Sequence, residues 1–125
     1  MVQFPESFKQ RMQRMLGDEY EAFEKSYDRP VHNGLRVNTL KTSPEELKNI
    51  LDIRESPVPW NQDGFYIDDK RSYTLNPLYH AGLYYIQEPS AMLPAWLCDA
   101  RPGEKILDIC AAPGGKSTAL GAALK

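Results

Sequence analysis

Residues 105–125 constrain the chain more than any other stretch. Lys105-Ile106-Leu107-Asp108-Ile109-Cys110 is nearly continuous in apolar residues, the pattern of a central strand in a parallel sheet buried on both faces. It leads into Ala111-Ala112-Pro113-Gly114-Gly115, a tight loop of small residues. An Ala/Leu helix then runs from Lys116, with Leu120 and Leu124 on one face. Strand, small-residue loop and helix form the arrangement that cradles a nucleotide-like ligand. Small side chains let the backbone come close, and the N–H groups at the helix start face hydrogen-bond acceptors. Gly114 and Gly115 accept positive φ at little steric cost. As a bare pattern the same string also suits a plain connection between two elements.

Two nucleotide-loop families are excluded by inspection. Gly115-Lys116-Ser117 matches the end of a phosphate-binding P-loop, but that motif requires a glycine five positions before Gly115, where Cys110 stands. The dinucleotide fingerprint G-x-G-x-x-G is absent from the sequence as well.

Upstream, Phe4, Phe8, Met12 and Met15 or Leu16 share one helical face, and Gly17 is a natural stop. Asp18 with Glu21 has capping-box spacing for a second helix carrying Tyr20, Phe23 and Tyr27, which Asp28-Arg29-Pro30 ends. Lys9, Arg11 and Arg14 are diluted by Glu6 and the acidic second helix and read as a solvated face. After the turn signal Asn33-Gly34 comes the strand pattern Leu35-Arg36-Val37-Asn38-Thr39-Leu40. Ser43, Pro44 and Glu46 supply a cap, an N1 proline and a capping-box glutamate for a helix with Leu47, Ile50 and Leu51 inward. Short strands are expected from Val58 to Trp60 and from Gly64 to Ile67, around an Asn61-Gln62-Asp63 turn. Leu83-Tyr84-Tyr85-Ile86 is extended. Ser90 is placed to cap a helix through Met92, Leu93 and Trp96, and Pro94 is tolerated near its first turn. Trp60 and Trp96 are assigned to cores.

The formal net charge of −2 argues against nucleic-acid binding by bulk charge, although a local basic face remains open. No apolar run reaches the ~20 residues that span a bilayer, and the N-terminus lacks a signal-peptide pattern, so a cytoplasmic protein without membrane contact is expected. Two cysteines make no disulfide framework. His32 and His80 have no second ligand at metal spacing, so no metal is expected.

The string Asp108-Ile109-Cys110-Ala111-Ala112-Pro113-Gly114-Gly115-Lys116 resembles the first cofactor motif of the Sun family of S-adenosylmethionine-dependent RNA cytosine-C5 methyltransferases. Tyr85-Ile86-Gln87-Glu88-Pro89-Ser90-Ala91-Met92 looks like the segment that precedes this motif, and the 35–40 strand is similar to the family's Arg-x-Asn element. With Pro57-Val58-Pro59-Trp60 and Gly64-Phe65-Tyr66, the resemblance covers nearly the whole chain. Within the family it is most similar to bacterial members that act on small-subunit (16S) ribosomal RNA.

The resemblance implies an α/β and α+β fold. An N-terminal helical hairpin plus a small RNA-recognition-like α+β domain would occupy residues 1–77. The first strand-loop-helix unit of a Rossmann-like methyltransferase domain would occupy 78–125. It also implies S-adenosylmethionine as cofactor, with Cys110, Ala111, Ala112, Pro113, Gly114, Gly115 and Lys116 as the wall around its methionine and ribose portions. Arg36 and Asn38, on one strand face, are the candidate contacts to ribosomal RNA. In the family a cysteine thiolate adds to C6 of cytosine so that C5 takes the methyl group, and a second cysteine assists release. Both cysteines, and the acidic residue that holds the ribose, lie in motifs downstream of Lys125, so no catalytic residue is expected here and the chain alone is expected to be inactive. An exposed strand edge at 105–110 would favour self-association. The competing expectation is a free-standing RNA- or protein-binding module that retains a vestigial cofactor loop.

Overall fold

The computed structural model describes residues 3–68 and 71–125. The chain divides into two compact units, Met1–Val31 and His32–Lys125.

The first unit is a helical hairpin. Helix α1 (Glu6–Leu16) ends where Gly17 takes φ +51°, a left-handed value that glycine accepts readily. A 3₁₀ turn (Gly17–Glu19) leads into α2 (Tyr20–Ser26). Asp18 falls inside that turn, and no side chain caps α2, so the expected capping box does not form. Aromatic packing holds the two helices. Phe4 meets Tyr27 edge-on at 4.7 Å, and Phe23 meets Tyr27 at 5.2 Å.

The second unit is built on a four-stranded antiparallel sheet. Its elements are β1 (Asn33–Val37), α3 (Pro44–Leu51), β2 (Pro57–Val58), β3 (Asn61–Ile67), α4 (Pro77–His80), β4 (Tyr84–Ile86), α5 (Pro89–Leu97) and α6 (Gly115–Ala123). The strand order is β2-β3-β1-β4. Asn33 and Gly34 belong to β1 and not to a turn, and β3 already begins at Asn61, so Pro59-Trp60 makes the hairpin. The α3 start is as the sequence implies: Ser43 Oγ accepts from the Glu46 amide at 3.2 Å, with Pro44 at N1.

Residues 34–37 of β1 are all buried, because both faces of the sheet are covered. On one face Leu35, Val37, Phe65 and Tyr84 pack with Leu47 and Leu51 of α3 and with Ile53 and Tyr73. On the other face α5 lies directly on the sheet, and two glycines make that approach possible. A Cβ at Gly34 would come within 2.8 Å of the Gln87 carbonyl oxygen, and one at Gly64 within 2.7 Å of Met92 Sδ. Met92 fills this seat with no exposed surface. The cap of α5 is Glu88, whose carboxylate accepts from the Ser90 and Ala91 amides, and Ser90 is not the cap. Trp60 donates its indole N–H to the Pro89 carbonyl at 2.9 Å, whereas Trp96 is 55% exposed and belongs to no core.

Residues 105–110 do not form the expected strand. A central parallel strand is held by neighbours on both edges, and none of the four strands adjoins this segment. Leu107 and Ile109 are accordingly 84% and 87% exposed, and there is no strand edge at this position to recruit another chain. The sheet also runs across position 77: β4 pairs antiparallel with β1, Leu35 opposite Ile86 and Arg36 opposite Tyr85.

Candidate cofactor loop and the arginine beneath it

The loop before α6 is organised by side chains at its two ends. The Asp108 carboxylate accepts from the Cys110 amide at 2.9 Å and from the Ser117 hydroxyl at 2.6 Å. Gly114 takes φ +111°, a value that strains any residue with a Cβ, and the space its Cβ would enter is open. At Gly115 the chain instead lies against protein: a Cβ there would sit 2.9 Å from Gln87 Nε2 and 3.3 Å from the Tyr85 ring. The Thr118 hydroxyl donates to the Gly114 carbonyl at 2.7 Å, and the Tyr85 hydroxyl donates to the Pro113 carbonyl at 3.3 Å. The loop therefore has one face seated on β4 and one face, at Gly114, free of side chains. Cys110 sits in an exposed turn as a free thiol and not in an apolar strand.

Arg36 lies beneath this loop, 5% exposed. Its Nε donates to Gln87 Oε1 at 3.1 Å, and its Nη2 donates to the Gly115 carbonyl at 3.1 Å and to Thr118 Oγ1 at 2.8 Å. The guanidinium carbon is 6.0 Å from the centre of the Tyr85 ring. Burial lowers the Arg36 pKa, and the negative charge of Asp63 opposes the shift. Gln87, itself buried, donates its other amide function to the Ala91 carbonyl at 3.0 Å.

Arg36 and Asn38 do face the same region, as the strand spacing implies, but not as free groups on an open strand face. Asn38 donates from Nδ2 to the Gly82 carbonyl at 2.8 Å and accepts from the Leu40 amide at 3.2 Å, so it shapes the turn after β1. Both residues line a cavity of about 630 Å³ between β1, β4 and α6, together with Lys41, Tyr79, Tyr85 and Thr118. Gln87 and Asp108 stand inside segments that the sequence singles out; Asp108 finds its partners within nine residues, whereas Arg36, the partner of Gln87, lies 51 residues away. Thr118 carried no sequence signal at all.

Residues 4–89 match the family model described as the N-terminal domain of 16S rRNA methyltransferase RsmF. The ribosomal RNA small subunit methyltransferase F of Erwinia tasmaniensis is 38% identical over 97% of this chain and 28% of its own length. The protein of the same name from Shewanella amazonensis is 43% identical over 74% of this chain and 21% of its own length. A crystal structure of a methyltransferase homologue from Pyrococcus horikoshii superposes with a TM-score of 0.78 at 34% identity, covering 97% of this chain and 41% of the other. The chain thus spans well under half the length of the proteins it matches.

Proposed function

We propose, from the premise that this chain belongs to the family of the N-terminal domain of 16S rRNA methyltransferase RsmF, that it forms the N-terminal part of a cytoplasmic enzyme that methylates C5 of a cytosine in small-subunit ribosomal RNA, with S-adenosylmethionine as methyl donor. The observation that carries this reading is the loop at 110–116, seated on β4 by Tyr85 and Gln87 and bare of side chains at Gly114.

The residues present fit one wall of such a cofactor site. Gly114 leaves the backbone approachable, and the first turn of α6 supplies N–H donors at the positive end of the helix. Cys110, Ala111, Ala112, Pro113, Gly114, Gly115 and Lys116 would line the methionine and ribose portions, while Asp108 keeps the two ends of the loop together. When bound, the cofactor supplies an electrophilic methyl group on its sulfonium. In this reading residues 78–125 open the methyltransferase domain and residues 1–77 form the part that recognises RNA. The RNA contact expected at Arg36 and Asn38 then falls to the cavity they line, where Lys41 and Tyr85 supply a cation and an aromatic ring, while the Arg36 guanidinium, already bonded to Gln87, Gly115 and Thr118, stays in the wall.

Bisulfite sequencing of small-subunit ribosomal RNA tests the proposal. Deleting the gene in its own host should remove bisulfite protection at a single cytosine, and restoring it should return that protection. An unchanged protection pattern would sink the cytosine-C5 assignment.

A further inference from the structure

We infer that Arg36 is a positioning residue for the cofactor loop: its buried guanidinium sets where the first turn of α6 lies on the sheet, and so where the loop backbone meets the cofactor. The inference rests on reading residues 110–116 as the cofactor wall.

Three separated segments meet at this one side chain. Arg36 comes from β1, Gln87 from the turn between β4 and α5, and Gly115 and Thr118 from the start of α6. The chain separation is 51 residues to Gln87 and 79 to Gly115, so these bonds exist only when the sheet and the loop are correctly docked. A buried cation is costly unless its donors are satisfied. Arg36 appears in no ion pair among the described residues, and its partners are an amide oxygen, a carbonyl and a hydroxyl. The penalty of moving any of them away therefore falls directly on the position of α6. The Thr118 hydroxyl passes the constraint on, because it accepts from Arg36 and donates to the carbonyl of Gly114, the residue whose backbone is open.

The fork is specific to arginine. Nε and Nη2 point along fixed directions in one plane, toward Gln87 on one side and α6 on the other. Lysine keeps the charge but presents a single donor atom and cannot span both.

The test uses Arg36→Lys, Arg36→Met and, because a buried charge change can unfold the chain, Thr118→Val, which removes the relay alone. Two quantities are read: amide hydrogen exchange across this chain, and the KM for S-adenosylmethionine in a full-length family member carrying the same arginine. Exchange at 118–120, the first hydrogen-bonded amides of α6, should accelerate about tenfold in Arg36→Lys and Thr118→Val, with amides of α3 and β3 unchanged. The cofactor KM should rise about tenfold with kcat within about twofold, corresponding to about 1.4 kcal/mol of binding. Unaltered exchange at 118–120 in both variants would overturn the inference. Faster exchange with an unaltered cofactor KM would overturn it too, provided Gly114→Val still raises that KM. If Gly114→Val leaves the KM unchanged as well, the reading of the loop fails instead.

Discussion

Asp108 and Ser117 are joined by a 2.6 Å hydrogen bond that closes the loop across nine positions. The Ser117 hydroxyl, then the Cys110 amide and the Lys116 charge, hold the Asp108 carboxyl below its ordinary value of 3.8. A carboxylate depressed in the folded state adds stability above its unfolded pKa and loses it as pH falls through the folded value. The closed loop should therefore persist at neutral pH and open only in acid, below about pH 4. The amide resonance of Cys110 should report this as a single step with a midpoint under 3.8. Asp108→Asn should abolish the step. A midpoint at or above the ordinary aspartate value would mean that the strap does not form in solution.

The two loop glycines should fail for different reasons. Gly115→Ala pushes a Cβ against the buried Gln87 amide at 2.9 Å, an overpacking that costs about 1–3 kcal/mol. Gly114→Ala meets no atom within 4 Å, and its cost is the backbone strain of φ +111°, about 1–2 kcal/mol. Thermal unfolding of the two variants reads the sum. Relief of the Gly115→Ala loss by Gln87→Ala, with no relief for Gly114→Ala, separates steric from backbone origin.

The start of α3 was legible because its cap is local: Ser43, Pro44 and Glu46 meet within one turn. The region around Arg36 was not, because its partners arrive from 51 to 82 residues away and the alternation of a strand says which face a residue takes, not what covers it. Period-two patterning placed Arg36 and Asn38 together correctly. It did not reveal that α5 and α6 bury that face. The 105–110 segment illustrates the opposite failure. An apolar run states a need for neighbours, and whether they are supplied is a property of the rest of the sheet. Glu88 displaced Ser90 as the α5 cap because Pro89 at N1 moves the boundary two residues earlier than Ser90 implies.

Stability of the second unit should be concentrated on the α3 face of the sheet. Leu47 is fully buried against β1 and β3, so Leu47→Ala should cost about 2–5 kcal/mol in urea unfolding. Ser43→Ala removes one cap bond at an exposed helix start and should cost about 1 kcal/mol. A cap loss equal to the core loss would contradict this ordering.

Backbone amides at 106–109 should exchange freely in a monomer of this chain, since no strand pairs with them. Leu107 and Ile109 nonetheless expose apolar surface that association would cover. Sedimentation at rising concentration should show self-association, and Leu107→Glu with Ile109→Glu should reduce it without changing the circular dichroism. Strong exchange protection at 106–109 in a strict monomer would show that the segment pairs within the chain after all.

Substitutions in the loop should separate cofactor binding from chemistry. The open space above Gly114 is where a cofactor backbone contact would form, and Gly114→Val fills it with a branched side chain in a strained conformation. In a full-length family member this should weaken S-adenosylmethionine binding at least tenfold, about 1.4 kcal/mol, in calorimetric titration. Cys110 is an exposed thiol whose backbone amide, not its sulfur, is used in holding the loop. Cys110→Ser keeps that amide and the small side chain, so methyl transfer should survive at a measurable rate. This 125-residue chain supplies only one wall of the proposed pocket and should bind the cofactor weakly or not at all. Complete loss of transfer in Cys110→Ser with cofactor affinity intact would make Cys110 a participant in the chemistry. Tight binding by this chain alone would place the whole pocket within residues 78–125, against the assignment of a wall to the loop.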